Sequence, residues 1–273
     1  MRLYDGLHHK DVADWHKDLA LLTDSLRLDN FTELLCDTLA KVVNFQTVIC
    51  MTYKKGHAPI SIYDNYSPER AKDVIDAYIK GVYVLDPFYT AVMNDITPGV
   101  HRLVEMAPDS FQESDYYQQY YRKLTSVEDE VGIFIDLSND VTLIISLCRW
   151  SGLETLTRRE RNVLNSIFPM IRSLCREFWR LQASQYVDKL NQNSPVEMAF
   201  NTFGDGLLTD REQQIIGLIL QGHSSKSVAS TLGITPGTVK VHRKNIYTRL
   251  KISTQSQLFS QFLNHLAVQA SHI

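Results

Sequence analysis

The feature that most constrains this chain is the punctuation of its C-terminal end. Between Leu207 and Leu266, helix-forming runs are cut into four short pieces by start and stop signals. Thr209 and Glu212 have the spacing of a capping box, in which each side chain satisfies a backbone N–H of the first turn. Ile215, Ile216, Ile219 and Leu220 follow at helical spacing, and Gly222 ends the run. Ser224 and Ser225 open a second piece carrying Val228, Ala229 and Leu232. Gly233 breaks it, and Thr235-Pro236 opens a third that reaches about Leu250. Ser253 and Thr254 open the last, with Leu258, Phe259, Phe262, Leu263 and Leu266 inward. Helices this short are marginal alone in water, so they must pack on one another. The pattern predicts an all-α four-helix unit whose second and third helices, joined through Leu232-Gly233-Ile234-Thr235, form a helix-turn-helix.

The third helix has two unlike faces. Val239, His242, Ile246 and Leu250 share one and are expected in the core. Lys240, Val241 and Lys244 share the other, with Tyr247 near its edge. Two lysines and a small apolar side chain suit a major groove: lysine reaches guanine acceptors or phosphates, and valine touches a thymine methyl. The helix N-termini at Ser225 and Thr235 offer backbone N–H groups to phosphates. Charge runs the same way. From Leu207 on, seven Lys/Arg face only Asp210 and Glu212, a net +5, while the whole chain is −3, so the remainder carries −8. A basic end on an acidic body is the footprint of a separate nucleic-acid module.

Leu208-Thr209-Asp210-Arg211-Glu212, Gly222, Lys226, Val228-Ala229, Leu232, Thr238-Val239-Lys240-Val241-His242 and Arg249-Leu250 together resemble the LuxR/GerE family of DNA-binding domains. The resemblance implies a transcription regulator bound to double-stranded DNA. Lys240, Val241 and Lys244 would read bases, and Thr235, Thr238, Lys226 and Arg243 would hold phosphates. A homodimer, with RNA polymerase as a further partner, also follows from it. The chain departs from the family at Gln255–Gln257, where an arginine is frequent. Leu156-Thr157-Arg158-Arg159-Glu160 mimics the opening of the DNA module, but no glycine turn and Thr-Val-Lys segment follow it, so it reads as a capping box.

The preceding residues form a different pattern. Trp15–Val43 reads as one or two helices, Thr47–Tyr53 as a strand with a return at Pro59–Tyr63, and Ser67-Pro68-Glu69 as a helix start ending before Gly81. Asp86–Leu124 is aromatic and helix-rich. Val131–Leu137 and Val141–Trp150 are strands joined by a tight turn at Ser138-Asn139-Asp140. A long amphipathic helix follows Thr157 to about Gln182, with Pro169 inside it. The fold class is α+β, an antiparallel sheet covered by helices, plus the C-terminal helical unit. The expected division is a sensing and dimerisation domain over 1–183, a polar linker over 184–206 and the DNA-binding domain over 207–273. Leu164, Ile167, Ile171, Leu174, Phe178 and Leu181 make the long helix a candidate dimer element.

What the first domain senses is less plainly written. A phosphorylated receiver domain needs a doubly wound fold with acids after its strands, and that pattern is missing. Tyr78 to Phe88, containing Asp86-Pro87, is similar to the Asp-Pro segment of autoinducer-binding domains, which implies that Asp86 accepts a hydrogen bond from a ligand amide. The tryptophans of that family have no counterparts: Asp73 stands at the first position and His101 near the second. The broader pattern resembles GAF/PAS-like sensor domains. Asp86, Tyr78, Tyr83, Tyr53, Tyr63, Phe88 and His101 are the candidate ligand-binding residues, with Tyr116, Tyr117, Tyr120 and Tyr121 as further aromatics. Asp86 has a second reading as the cap before Pro87. Glu128-Asp129-Glu130, just before a strand, reads as a solvated acidic turn, with a metal or cation role as the lesser alternative. A small-molecule effector and a protein partner or constitutive regulator without ligand both stay open.

Other classes are disfavoured. No G-x-S-x-G, P-loop or H-E-x-x-H motif occurs, so no enzyme, cofactor or metal site is expected. Cys36, Cys50, Cys148 and Cys175 are scattered among apolar neighbours, as buried free thiols of a reducing compartment would be. No apolar run spans a bilayer and Met1–Lys17 is polar, which gives a cytoplasmic protein without membrane contact as the expectation.

Overall fold

The computed structural model describes residues 9–138, 140–186 and 195–270. The tip of the expected hairpin at Asn139, the middle of the expected linker (187–194) and the N-terminal residues through His8 lie outside the described residues.

The N-terminal part is built on one antiparallel sheet of order β2-β1-β5-β4-β3. Its strands are β1 (Thr47–Lys54), β2 (Ile60–Asp64), β3 (Gly99–Arg102), β4 (Val127–Asp136) and β5 (Val141–Trp150). Both faces are covered, which is why residues 131–135 of β4 and 143–148 of β5 are buried at every position instead of alternating. On one face, α1 (His9–Asp24), α2 (Phe31–Ala40) and α6 (Arg158–Gln182) cover Val48, Cys50, Val131, Ile133, Ile135, Leu143, Ile145 and Leu147. On the other, Met51, Tyr53, Phe134, Ile144 and Cys148 pack under α3 (Pro68–Ile79), a 3-10 turn (Val82–Leu85), α4 (Pro87–Met93) and a π-helical segment (Tyr116–Thr125). α5 (Leu103–Met106) follows β3 directly. All four cysteines are buried free thiols.

Two glycines mark close approaches. A Cβ at Gly132 on β4 would lie 2.6 Å from the Phe134 ring and 2.9 Å from the Phe88 ring, so only glycine lets α4 sit this low on the sheet. Gly222, at φ +96, marks the other. There a Cβ would meet the Phe111 backbone at 2.8 Å, across the contact between the two halves of the chain.

The C-terminal part contains α7 (Pro195–Thr202), α8 (Asp210–Leu220), α9 (Ser225–Leu232), α10 (Pro236–Arg249) and α11 (Gln255–Ala270). Thr209 and Glu212 form the reciprocal capping box of α8. Buried Glu212 also receives Arg249 at 2.7 Å, tying the end of α10 to the start of α8. Gly233, at φ +65, makes the turn between α9 and α10. Helix α7 falls inside the stretch expected to be a linker. Ala199 and Phe203 are buried there, and Phe203 meets Phe262 of α11 edge-on at 5.4 Å, so apolar anchoring overrides the polar composition around it.

The two parts touch. The Ser224 N–H and hydroxyl donate to the Asp109 carboxylate at 2.9 and 2.5 Å, Ser110 N donates to the Gly222 carbonyl at 3.1 Å, and the Ser256 hydroxyl donates to Asp115 at 2.8 Å. Beside this contact lies an open cleft of about 740 Å³ between α4 and the α7–α9 surface.

Candidate functional site

Two sites emerge, one on each part. Val239 and Ile246 on α10 and Leu250 just past its end are buried, while Lys240, Val241 and Lys244 face solvent. Val241 is 60% exposed, which no folding argument explains. Thr235 caps the helix, accepting from Thr238 N, and its hydroxyl pairs with that of Thr238 at 2.9 Å. Lys226 is exposed on α9. Arg243 leans over the Tyr247 ring, 5.6 Å from its centroid, and donates to its hydroxyl at 3.2 Å. His242, expected in the core, is half-buried on the flank of the helix.

The second site lies under the sheet. A cavity of about 50 Å³ is bounded by β1, β4, β5, α3, the Asp86 turn and the π-helical segment. Tyr53, Tyr78 and Asp86 from the expected set line it. Asp86 does two things at once: Oδ1 accepts from Phe88 N at 2.7 Å, capping α4, and Oδ2 accepts from the Tyr78 hydroxyl at 2.7 Å. Because Tyr78 spends its proton there, the Tyr53 hydroxyl, 2.9 Å away, donates to Tyr78, and the three groups form one chain. Burial, then the Asp86 charge, holds both phenols well above their ordinary range, so they remain donors. The Asp86 carboxyl is itself raised by desolvation, against the pull of Tyr78 and Phe88 N.

Four expected ligand residues lie away from this cavity. Tyr63 pairs with Cys50 in the β1–β2 register, so its side chain is on the α2/α6 face. Tyr83 is fully buried beyond the Tyr78 ring, edge-on to Tyr89 at 5.0 Å. Phe88 packs edge-on to Phe134 at 5.1 Å. His101 bonds the Thr97 carbonyl at 2.8 Å from the rim strand β3.

The acidic triplet is corrected as well. It is not a solvated turn but the beginning of β4. Glu128 faces water, Asp129 is buried between Arg102 (2.8 Å) and Leu156 N (2.6 Å), and Glu130 points into the cavity, where Tyr121 donates to it at 2.7 Å. Desolvation first, and the charge of Asp86 second, raises the Glu130 carboxyl. Tyr66, Tyr116, Tyr120 and Tyr121 complete the aromatic wall. The available signal for Glu130 was its place next to Val131, on the opposite face of the strand, hidden by three consecutive acids and by the bulge between Val127 and Asp129.

Comparison with known proteins decides the class. The profile of bacterial regulatory proteins of the luxR family matches residues 206–261. A relative from Aeromonas salmonicida, described as an HTH-type transcriptional regulator in the exeN 3′ region, is 34% identical over 187 residues, covering 66% of this chain and 94% of its own. The chain belongs to the luxR family. It is a DNA-binding transcription regulator, as are its relatives. The transcriptional regulatory protein MctR of Rhizobium johnstonii is 47% identical over 62 residues, 23% of this chain and 29% of that one. In its fold, the luxR-family chain is similar to the VqsR LBD domain from Pseudomonas aeruginosa, with a TM-score of 0.54 at 23% identity over 62% of this chain and 98% of that one. Among the described residues no helix of this regulator is long and apolar enough to cross a membrane, and no group of three or more His, Cys, Asp or Glu could hold a metal ion.

Proposed function

We propose that this regulator reads DNA with Lys240, Val241 and Lys244 on α10 while Thr235, Thr238, Lys226 and Arg243 hold phosphates, and that a small molecule in the Asp86 cavity controls it. The exposure of Val241 between two exposed lysines supports the first part. The second rests on one observation: the Tyr53–Tyr78–Asp86 chain ends in a cavity, not in packed side chains. The protein acts as a cytoplasmic homodimer, placing two recognition helices in half-sites about one helical turn apart, and has no catalytic role. Residues 1–183 form the sensing domain, and the DNA-binding unit follows the 184–206 connection.

The cavity is small. At about 50 Å³ it falls far below the roughly 300–1,000 Å³ of drug-sized sites, so its occupant is small or its walls part on binding. The same smallness favours a second reading, in which the sensing domain binds a protein partner or acts without ligand. Native mass spectrometry of the full chain purified from its host distinguishes them. A dimer carrying a small molecule that Asp86→Ala releases supports ligand control. A ligand-free dimer with full operator affinity supports the second reading.

A further inference from the structure

The side chains around the Asp86 cavity are unbalanced in charge. Two carboxylates, Asp86 and Glu130, reach it, and no Lys, Arg or His lines it. Buried acids are ordinarily matched by a cation, by enough donors to replace water, or by a proton that they retain. Elsewhere this protein follows that rule: Asp129 has Arg102 and Glu212 has Arg249. In the cavity the matches among the described residues are neutral: Tyr78 and Phe88 N on Asp86, and Tyr121 and Ser146 on Glu130. The Asp86 charge also opposes the ionisation of Glu130.

The walls supply what a cation needs besides countercharge. Tyrosine faces attract positive charge through the ring quadrupole, most strongly where water is excluded. Tyr116 and Tyr120 stack at 5.5 Å and line the cavity with Tyr53 and Tyr78.

From this geometry we infer that the cavity between Asp86 and Glu130 is a binding site for a small organic cation, a short protonated amine. Its ammonium hydrogens point at the two carboxylates and its carbon chain lies against the tyrosines. The inference rests on the ligand-controlled reading above and narrows it: the occupant is cationic and short, in keeping with a space where one water needs on the order of 10–15 Å³.

The test is a titration of the full-length protein with methyl-, ethyl- and n-propylammonium chloride, each against the neutral alcohol of the same chain length, and with propionate. Thermal unfolding and calorimetry are the readouts. The expected result is saturable stabilisation by at least one amine, with its alcohol binding at least about tenfold more weakly and propionate not at all. Glu130→Gln and Asp86→Asn should each weaken the amine at least about tenfold while the variants keep their cooperative unfolding. Equal binding of amine and alcohol, or an unchanged affinity in Glu130→Gln, would sink the cation inference and leave ligand control standing. A host-purified protein carrying a molecule without a basic nitrogen would do the same. If no amine binds and the host-purified protein is empty, both readings fall together.

Discussion

Lys240 and Val241 are neighbours on α10, and both face water. An exposed lysine contributes little to stability, so replacing it should leave the fold intact and change only what the helix touches. Lys240→Ala should lower operator affinity by roughly 1–3 kcal/mol and relax base preference at one position, if the lysine is fully engaged with a base edge. Gel shifts against operator and scrambled DNA measure this, and equal losses on both would mean a phosphate contact instead. Glu130 makes a prediction of the opposite kind, on stability. Its folded pKa is raised, so its contribution is present below the unfolded value near 4.3 and is lost as pH rises through the folded one. Asp86 behaves alike, whereas the surrounding Tyr53, Tyr78, Tyr116, Tyr120, Tyr121 and Cys148 are all raised further from neutrality. Glu130→Gln should therefore unfold at a higher temperature than the parent at pH 7.5, with the gap closing toward pH 4. A constant gap across that range would remove the titration argument. At this scale Asp86 and Tyr78 could be picked out because the stretch from Tyr78 to Phe88 carries the Asp-Pro signal, whereas Tyr53 was one aromatic among several. Glu130 was not, because its position depends on where β4 begins.

The elements whose ends carry chemistry were legible in the sequence. Thr157 and Glu160 open α6, and Thr209 and Glu212 open α8, each as a complete capping box. Thr209→Ala should cost about 0.5–2 kcal/mol by removing the acceptor for Glu212 N and loosening the Glu212–Arg249 link, as denaturant unfolding would report. Elements held by distant partners were not legible. Strand β3 has four residues, of which only Val100 is buried, and it exists because β4 pairs with it. The π-helical segment is set by its tyrosines, with Tyr120 donating to the Val74 carbonyl at 2.9 Å and Tyr121 to Glu130, neither of which local spacing shows. Helix α7 was hidden for the same reason, since Phe203 is fixed by α11 far along the chain. Gly132 illustrates how tightly α4 and the sheet are matched. Gly132→Ala forces a methyl against Phe88 and Phe134 and should destabilise by about 1–3 kcal/mol. The displaced α4 would move Asp86 with it, so ligand response should fall further than stability does. Retention of both would show that the rings have room to turn.

Across the whole molecule, α6 lays Leu164, Ile171, Cys175, Phe178 and Trp179 on its own sheet, so a dimer built on α6 would have only the residues left on its other sides. The contact between the two parts concerns DNA more directly. Asp109 places a carboxylate at the start of α9, taking the Ser224 N–H and hydroxyl, and that start is where the first helix of a helix-turn-helix meets a phosphate. Ser224 in turn lowers the Asp109 carboxyl below its ordinary range. Asp109→Asn should tighten operator binding roughly two- to tenfold, near 0.4–1.4 kcal/mol, measured on the full chain by fluorescence anisotropy. No change would mean that the contact opens freely before DNA arrives. Should Asp109→Asn tighten binding, Asp109 is a tethered competitor on the same chain as its target, with an effective concentration of millimolar order that does not fall on dilution. The operator therefore faces the same opposition in a sparse cell as in a concentrated sample. Only a change in the fold around Asp109, and not a change in protein level, can lift it.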